Sequence, residues 1–234
     1  MILNQFNNSY ANKPCFIIGS GTSINSQDLL PIKDHISIAV NSGFLAAPWS
    51  NFFLSDDWSV KYWSYFYRDL RKSNNTLVLL YESNFNCEDW PANRIVYFKH
   101  RQGYNITDVY NHYNNDYHIC EARTSVGSAI HVAHIMGCNP IILIGIDCCR
   151  VDGKRYFWTD NPNIEKPTLT KPNRPYRKVL EKTLNDGDLK EITDYWNMSA
   201  KYFLEKCNII NASPISSLEC FPKKSLTDIY RDIS

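Results

Sequence analysis

The stretch Cys15-Phe16-Ile17-Ile18-Gly19-Ser20-Gly21-Thr22-Ser23 decides the fold. Four apolar residues run straight into a turn of glycines and hydroxylated side chains. Far along the chain, Pro140-Ile141-Ile142-Leu143-Ile144 ends the same way, at Gly145-Ile146-Asp147. Short, continuous apolar runs bounded by glycine read as strands buried on both faces of a parallel sheet. In open sheets of that kind, ligands sit beyond the carboxyl ends of the strands. Both turns therefore open onto one crevice, and the first is built to cradle a phosphate or a ribose.

Working outward, Asn25 to Leu30 reads as a short helix stopped by Pro31. His35 to Val40 reads as a strand ending at Asn41-Ser42-Gly43, and Asn51 to Leu54 as a third, ending at Ser55-Asp56-Asp57. Residues 59–72 carry Val60, Trp63, Tyr67 and Leu70 at helical spacing. Leu77 to Tyr81 and Arg94 to Phe98 give two more strands, and residues 100–122 a polar, aromatic loop over the sheet. Thr124-Ser125-Val126-Gly127-Ser128 opens a helix that Gly137 stops. Residues 158–188, with Pro162, Pro167, Pro172 and Pro175, read as a lid within a single domain spanning 1–234. Ile192 to Cys207 is an amphipathic helix, Asn208 to Asn211 a last strand, and Ala212 to Leu226 a turn-rich tail. Strands alternating with helices predict an α/β fold: one Rossmann-like domain with a mostly parallel sheet and a Pro-rich lid.

Composition bounds the function. The formal net charge is +1 and charged residues make up 21%, so nothing marks a general polyanion binder. Fifteen Tyr and six Trp are a surplus that suits either wet, ring-accepting sites or a core rich in aromatics. No apolar stretch approaches the ~20 residues of a membrane span, and Met1 to Asn12 has no signal-peptide pattern, so the chain reads as cytoplasmic. Eight cysteines show no CxxC or Cys/His metal spacing and read as reduced thiols.

The chemistry is expected at the strand ends. Gly19, Ser20, Gly21, Thr22 and Ser23 let the backbone approach a ligand and offer hydroxyls to it, although the turn is neither a Walker loop nor a full GxGxxG. Asn41, Ser55, Asp56 and Asp57 follow the next two strands and suit a ribose or sugar; helix capping is the alternative for Asp57. Thr124, Ser125 and Gly127 sit at a helix start, whose free amides bind either a cap or an anion. Asp147 joins this set, with a structural role in tying neighbouring amides as the favoured reading. Arg150, Lys154, Arg155 and Tyr156 supply donors for a leaving phosphate. His131 and His134 lack a third ligand at metal spacing, and no metal site is expected.

These residues resemble the bacterial sialyltransferases of glycosyltransferase family 42. The likeness covers most of the chain, with gaps. It rests on the Gly-x-Gly-x-Ser turn at Gly19 to Ser23, on Asn41, and on Thr124-Ser125 with Gly127 one place late. Gly145-Ile146-Asp147 and the Gly153 to Tyr156 spacing complete it. The resemblance implies a variant GT-A arrangement in which these positions hold the donor nucleotide. It also implies that Tyr156 bonds the leaving phosphate without a metal. Two departures stand out: the family's first phosphate-binding tyrosine falls at or near Cys149, and its general-base histidine follows the lid, whereas the last histidine here is His134. A base must then be a carboxylate, with Asp56, Asp186 and Asp188 as candidates. The chain is also similar to archaeal hydroxymethylpterin pyrophosphokinases and flagellin-glycosylation proteins, through the same turn and through residues 137–147.

The expected function is therefore a glycosyltransferase using a nucleotide-sugar donor as substrate, with no cofactor and Tyr156, Asp56 and Asp188 as the catalytic residues. The acceptor is open among glycan, peptide and nucleobase; the last is least favoured, because near-zero net charge disfavours nonspecific DNA binding. One alternative is an Mg²⁺-dependent, pyrophosphokinase-type transfer from ATP using Asp56 and Asp57. Another is a noncatalytic nucleotide-binding module. Oligomeric state is left open.

Overall fold

The computed structural model describes residues 3–57, 59–73, 75–81, 94–100, 118–119, 124–169 and 186–233. Among these residues eight strands form one sheet: β1 (Cys15–Ile18), β2 (Ile36–Val40), β3 (Phe52–Ser55), β4 (Leu77–Tyr81), β5 (Ile95–His100), β6 (His118–Ile119), β7 (Ile141–Ile144) and β8 (Ile209–Asn211). Their order is β6-β5-β4-β3-β2-β1-β7-β8, and each neighbouring pair is parallel. The Rossmann-like α/β expectation holds. From β1 the chain adds strands outward on one side as far as β6, then returns to place β7 and β8 on the other. The order thus reverses between β1 and β7, which makes their carboxyl ends the topological switch point.

All four residues of β1 and all four of β7 are buried, as strands covered on both faces must be. Alternate side chains serve two cores. Cys15 and Ile17 join Ile38, Leu54 and Leu143 beneath helix α2 (Ser125–Ile135) and helix α3 (Asp186–Leu204). Phe16 and Ile18 face the other way, with Ile142, Ile144, Phe157 and Leu226.

Several elements differ from expectation. The helix predicted at 25–30 is instead a pair of 3₁₀ turns, Thr22–Ser26 and Leu30–Ile32, with Pro31 inside the second. The helix predicted over 59–72 breaks into a 3₁₀ turn, a five-residue helix α1 (Ser64–Arg68) and another 3₁₀ turn. Trp63 leaves the helix for an extended conformation and bridges to Leu169. Residues 118–119 of the expected loop pair with β5 as a strand; 101–117 and 120–123 lie outside the described residues. Helix α3 begins at Asp186, so the last residues of the expected lid are helical, and a terminal helix α4 (Leu226–Ile233) closes the tail.

Of the expected lid, 170–185 lie outside the described residues. The described part is fastened at several points. Trp158 Nε1 donates to Ser42 Oγ at 3.1 Å, Asn161 Nδ2 to Asn25 Oδ1 at 3.0 Å, and the Thr168 amide to Ser64 Oγ at 3.0 Å.

Candidate functional site

The crevice at the switch point begins where β1 stops. Strand pairing continues into the turn: the Gly19 amide donates to Ile144 O and the Gly21 amide to Gly145 O, each at 2.8 Å. Gly145 has φ +65°, a region that side chains with a Cβ avoid. Asp147 then reaches back under the turn. Its carboxylate accepts from the Ser23 amide at 2.9 Å, Ser23 Oγ at 2.5 Å and Thr22 Oγ1 at 3.2 Å. The residue is only 3% exposed, so these bonds satisfy a carboxylate that burial would otherwise penalise. A Cβ on Gly21 would land on that carboxylate, so glycine is required for the close approach. The structural role favoured for Asp147 is the one it fills, and Thr22 and Ser23 are occupied with it.

The second turn packs beneath the first. A Cβ on Gly43 would collide with the carbonyl oxygens of Ile18 and Gly19. Just before it, Asn41 adopts φ +51°, and its buried Oδ1 has no hydrogen-bond partner among the described residues. Asparagine tolerates that backbone region better than most residues. Cys148, another lining residue of the crevice, also has φ +51°, which is uncommon for cysteine. Burial, reinforced by Asp147, pushes its thiol up to about 12, so it stays protonated. Left-handed non-glycine residues cluster at functional sites, where surrounding structure holds the strain.

Helix α2 presents its first turn to the same crevice. Thr124 caps it by accepting the Gly127 amide at 3.3 Å, so Gly127 serves the cap. Ser125 Oγ accepts the Asp56 amide at 3.2 Å, and Ser128 Oγ donates to Asp56 Oδ2 at 2.6 Å. Asp56 therefore pins the helix start to the end of β3. Ser55 and Asp57 form a local turn: Ser55 Oγ accepts the Asp57 amide at 3.1 Å, and Asp57 Oδ1 accepts the Ser59 amide at 2.8 Å.

The resulting cavity measures about 160 Å³. Of the residues singled out from the sequence, Gly19, Ser20, Gly21, Asn41, Thr124, Ser125, Asp147, Arg155 and Tyr156 line it. Thr22, Ser23, Ser55, Asp56, Gly127 and Asp188 do not; Asp188 precedes Leu189, which does. Asp186 is the first residue of α3. Sequence reasoning missed Cys148, Ile192 and Leu189 as wall residues, and it missed Ser42 and Trp158 as supports. The sequence carried one signal for the last pair: an aromatic cluster, Tyr156-Phe157-Trp158, after the central strand. Among the described residues, no group of three or more His, Cys, Asp or Glu side chains is arranged to hold a metal ion. Nor is any described helix long and apolar enough to cross a membrane.

Fold and crevice together define an open, parallel Rossmann-like protein with a crevice at its switch point. No family model matches the chain, and no curated protein matches it significantly. Among solved structures it is similar to the MAf glycosyltransferase from Magnetospirillum magneticum AMB-1, at 14% identity and a TM-score of 0.53. The likeness covers 95% of this chain and 37% of that one, so the chain spans little more than a third of its neighbour's length. At that identity the likeness establishes the shared fold.

Proposed function

We propose that the chain is a glycosyltransferase that takes a nucleotide-sugar donor at the switch-point crevice. The observation that carries the reading is the convergence of Gly19-Ser20-Gly21, Asn41, the α2 start and Tyr156 on one cavity at the carboxyl edge of the sheet. The glycosyltransferase neighbour of the same fold supports it. In this reading the donor phosphate lies against the backbone of the first turn and the first turn of α2, where helix amides favour an anion. Tyr156 donates to the leaving phosphate oxygen, and fixed donors of this kind lower the barrier as charge develops. A carboxylate takes the acceptor hydroxyl's proton. Asp188, on the same first turns of α3 as the crevice residues Leu189 and Ile192, is our candidate for that base.

The test is a thermal-shift screen of CMP, UDP, GDP, ADP and ATP, each with and without Mg²⁺. A ligand that binds only the folded chain raises its melting temperature. A shift by one nucleoside mono- or diphosphate without Mg²⁺ is expected, together with loss of turnover in Tyr156→Phe. A shift by ATP that requires Mg²⁺ would replace this reading with phosphoryl transfer. Unchanged turnover of the identified donor in Tyr156→Phe and Ser20→Ala would sink the assignment of roles.

A further inference from the structure

The sequence offers four donors after the central strand for a leaving phosphate, and the structure separates them. Lys154 is paired with Asp160. Arg150 does not line the crevice, and its Nη1 donates weakly to Gly153 O at 3.4 Å. Tyr156 and Arg155 do line it. Among the described residues no carboxylate pairs with the Arg155 guanidinium. Its contact is with a ring: Cζ lies 5.2 Å from the centroid of Tyr156. Tyr156 is in turn stacked on Trp158, with centroids 4.9 Å apart and planes 9° from parallel. Trp158 is anchored by its indole N–H to Ser42, the residue after Asn41. Between them, the Phe157 amide donates to Ser20 O at 3.1 Å, and Phe157 O accepts from Asn25 Nδ2 at 3.0 Å.

A planar cation stacked on an aromatic face keeps its N–H edge free for an anion, and stacking removes rotamer freedom beforehand. Deepening the functional reading above, and resting on it for the identity of the ligand, we infer that Arg155 is the phosphate-binding cation of the crevice and that Trp158 is a positioning residue acting through it. The stack runs Arg155, Tyr156, Trp158, and Ser42 fixes its base to the same turn that carries Asn41. The bound chemistry is a phosphate or pyrophosphate group, as part of a nucleotide or free.

The experiment measures inorganic pyrophosphate binding calorimetrically, with CMP against cytidine and UDP against uridine in parallel. The proteins are wild type, Arg155→Ala, Trp158→Ala, Trp158→Phe and the double variant Arg155→Ala/Trp158→Ala. Apoprotein melting curves identify any variant that fails to fold. Wild type should bind pyrophosphate, and Arg155→Ala should weaken it about tenfold or more, the scale of a lost charge-assisted hydrogen bond. Trp158→Ala should weaken it less, with no further loss when added to Arg155→Ala. Trp158→Phe, which keeps a smaller ring and loses the bond to Ser42, should fall between wild type and Trp158→Ala. The inference is overturned if wild type binds no pyrophosphate, or if Arg155→Ala binds it equally well. It is overturned for Trp158 if the loss is just as large in the Arg155→Ala background. Pyrophosphate binding that depends on Arg155, with no nucleotide preferred over its nucleoside, would uphold the cation and remove the nucleotide reading instead.

Discussion

The two edges of the sheet make an instructive contrast. At the amino edge lies a cavity of about 1000 Å³, lined by exposed asparagines, among them Asn4, Asn8 and Asn139, together with His134 and Cys207. At the carboxyl edge the crevice is about 160 Å³. The larger space has left-handed backbone of its own, at Asn8, Asn12 and Gly137; Cys207 Sγ sits 3.1 Å from His134 Nδ1, and the free Cys138 and Cys15 thiols share a hydrogen bond. The smaller one gathers a left-handed asparagine, a left-handed cysteine, glycines pressed against backbone and carboxylate, a helix start and a guanidinium. Neither volume nor left-handed backbone separates the two spaces; the smaller one is set apart by a helix start, a buried carboxylate and a guanidinium meeting at the switch point. Two carboxylates, Asp147 and Asp56, tie the smaller space together, whereas the amino edge is braced by backbone, the Asn8, Tyr10 and Asn12 amides donating to the carbonyls of Ile135, Met136 and Gly137.

The sharpest way to break the contrast is to remove the better-buried brace. Asp147→Ala strands the Ser23 amide and hydroxyl, and losing hydrogen bonds to a buried carboxylate should cost about 3–4 kcal/mol. For a chain of this size that is a fall of about 10 °C in melting temperature, read by calorimetry, with nucleotide binding lost at temperatures where the variant is still folded. A change within 2 °C, with binding intact, would show the brace to be dispensable.

Ser128→Ala should act more gently. It removes one donor to Asp56 and should cost about 1 kcal/mol, roughly 3 °C, with the effect on binding confined to affinity. Equal damage from this variant and from Asp147→Ala would mean that the helix start, not the first turn, is the framework of the crevice.

The smallest effect belongs to the amino edge. Burial, aided by Lys206, holds His134 below its usual 6.5. The folded chain therefore resists a proton that the unfolded chain accepts. Its contribution to stability is complete above pH 6.5 and declines as the pH falls from there toward the folded-state value. In His134→Gln the melting temperature should depend slightly less on pH across that window, with nucleotide binding unchanged at every pH. Impaired binding would tie the two edges together and erase the contrast.

The sequence made the strands legible and the connections much less so. β1 and β7 are unbroken apolar runs ending in glycine, and only a doubly covered strand explains such runs. β6, two residues long, is too short for any periodicity to register. The segment 59–72 has true helical spacing, but Trp63 is drawn into a bridge with Leu169, a tertiary contact that no local pattern encodes. For the site, the turn residues were readable because glycines and hydroxyls after a strand have few other uses. The division of labour among them was not. Whether Ser23 meets a ligand or Asp147 depends on which strand lies beside β1, and that adjacency spans more than a hundred residues. The roles of Ser42 and Trp158 were hidden for the same reason.

The Phe157 amide, bound to Ser20 O, gives the crevice a built-in witness. It belongs to the segment after β7 but is protected by the turn after β1, so it exchanges its hydrogen only when those two loops part. Its exchange rate therefore reports the parting of the loops directly, separately from the unfolding of the sheet. A ligand seated on Ser20 and Tyr156 should slow that one amide far more than the amides of β1 and β7, whose protection the strands already supply.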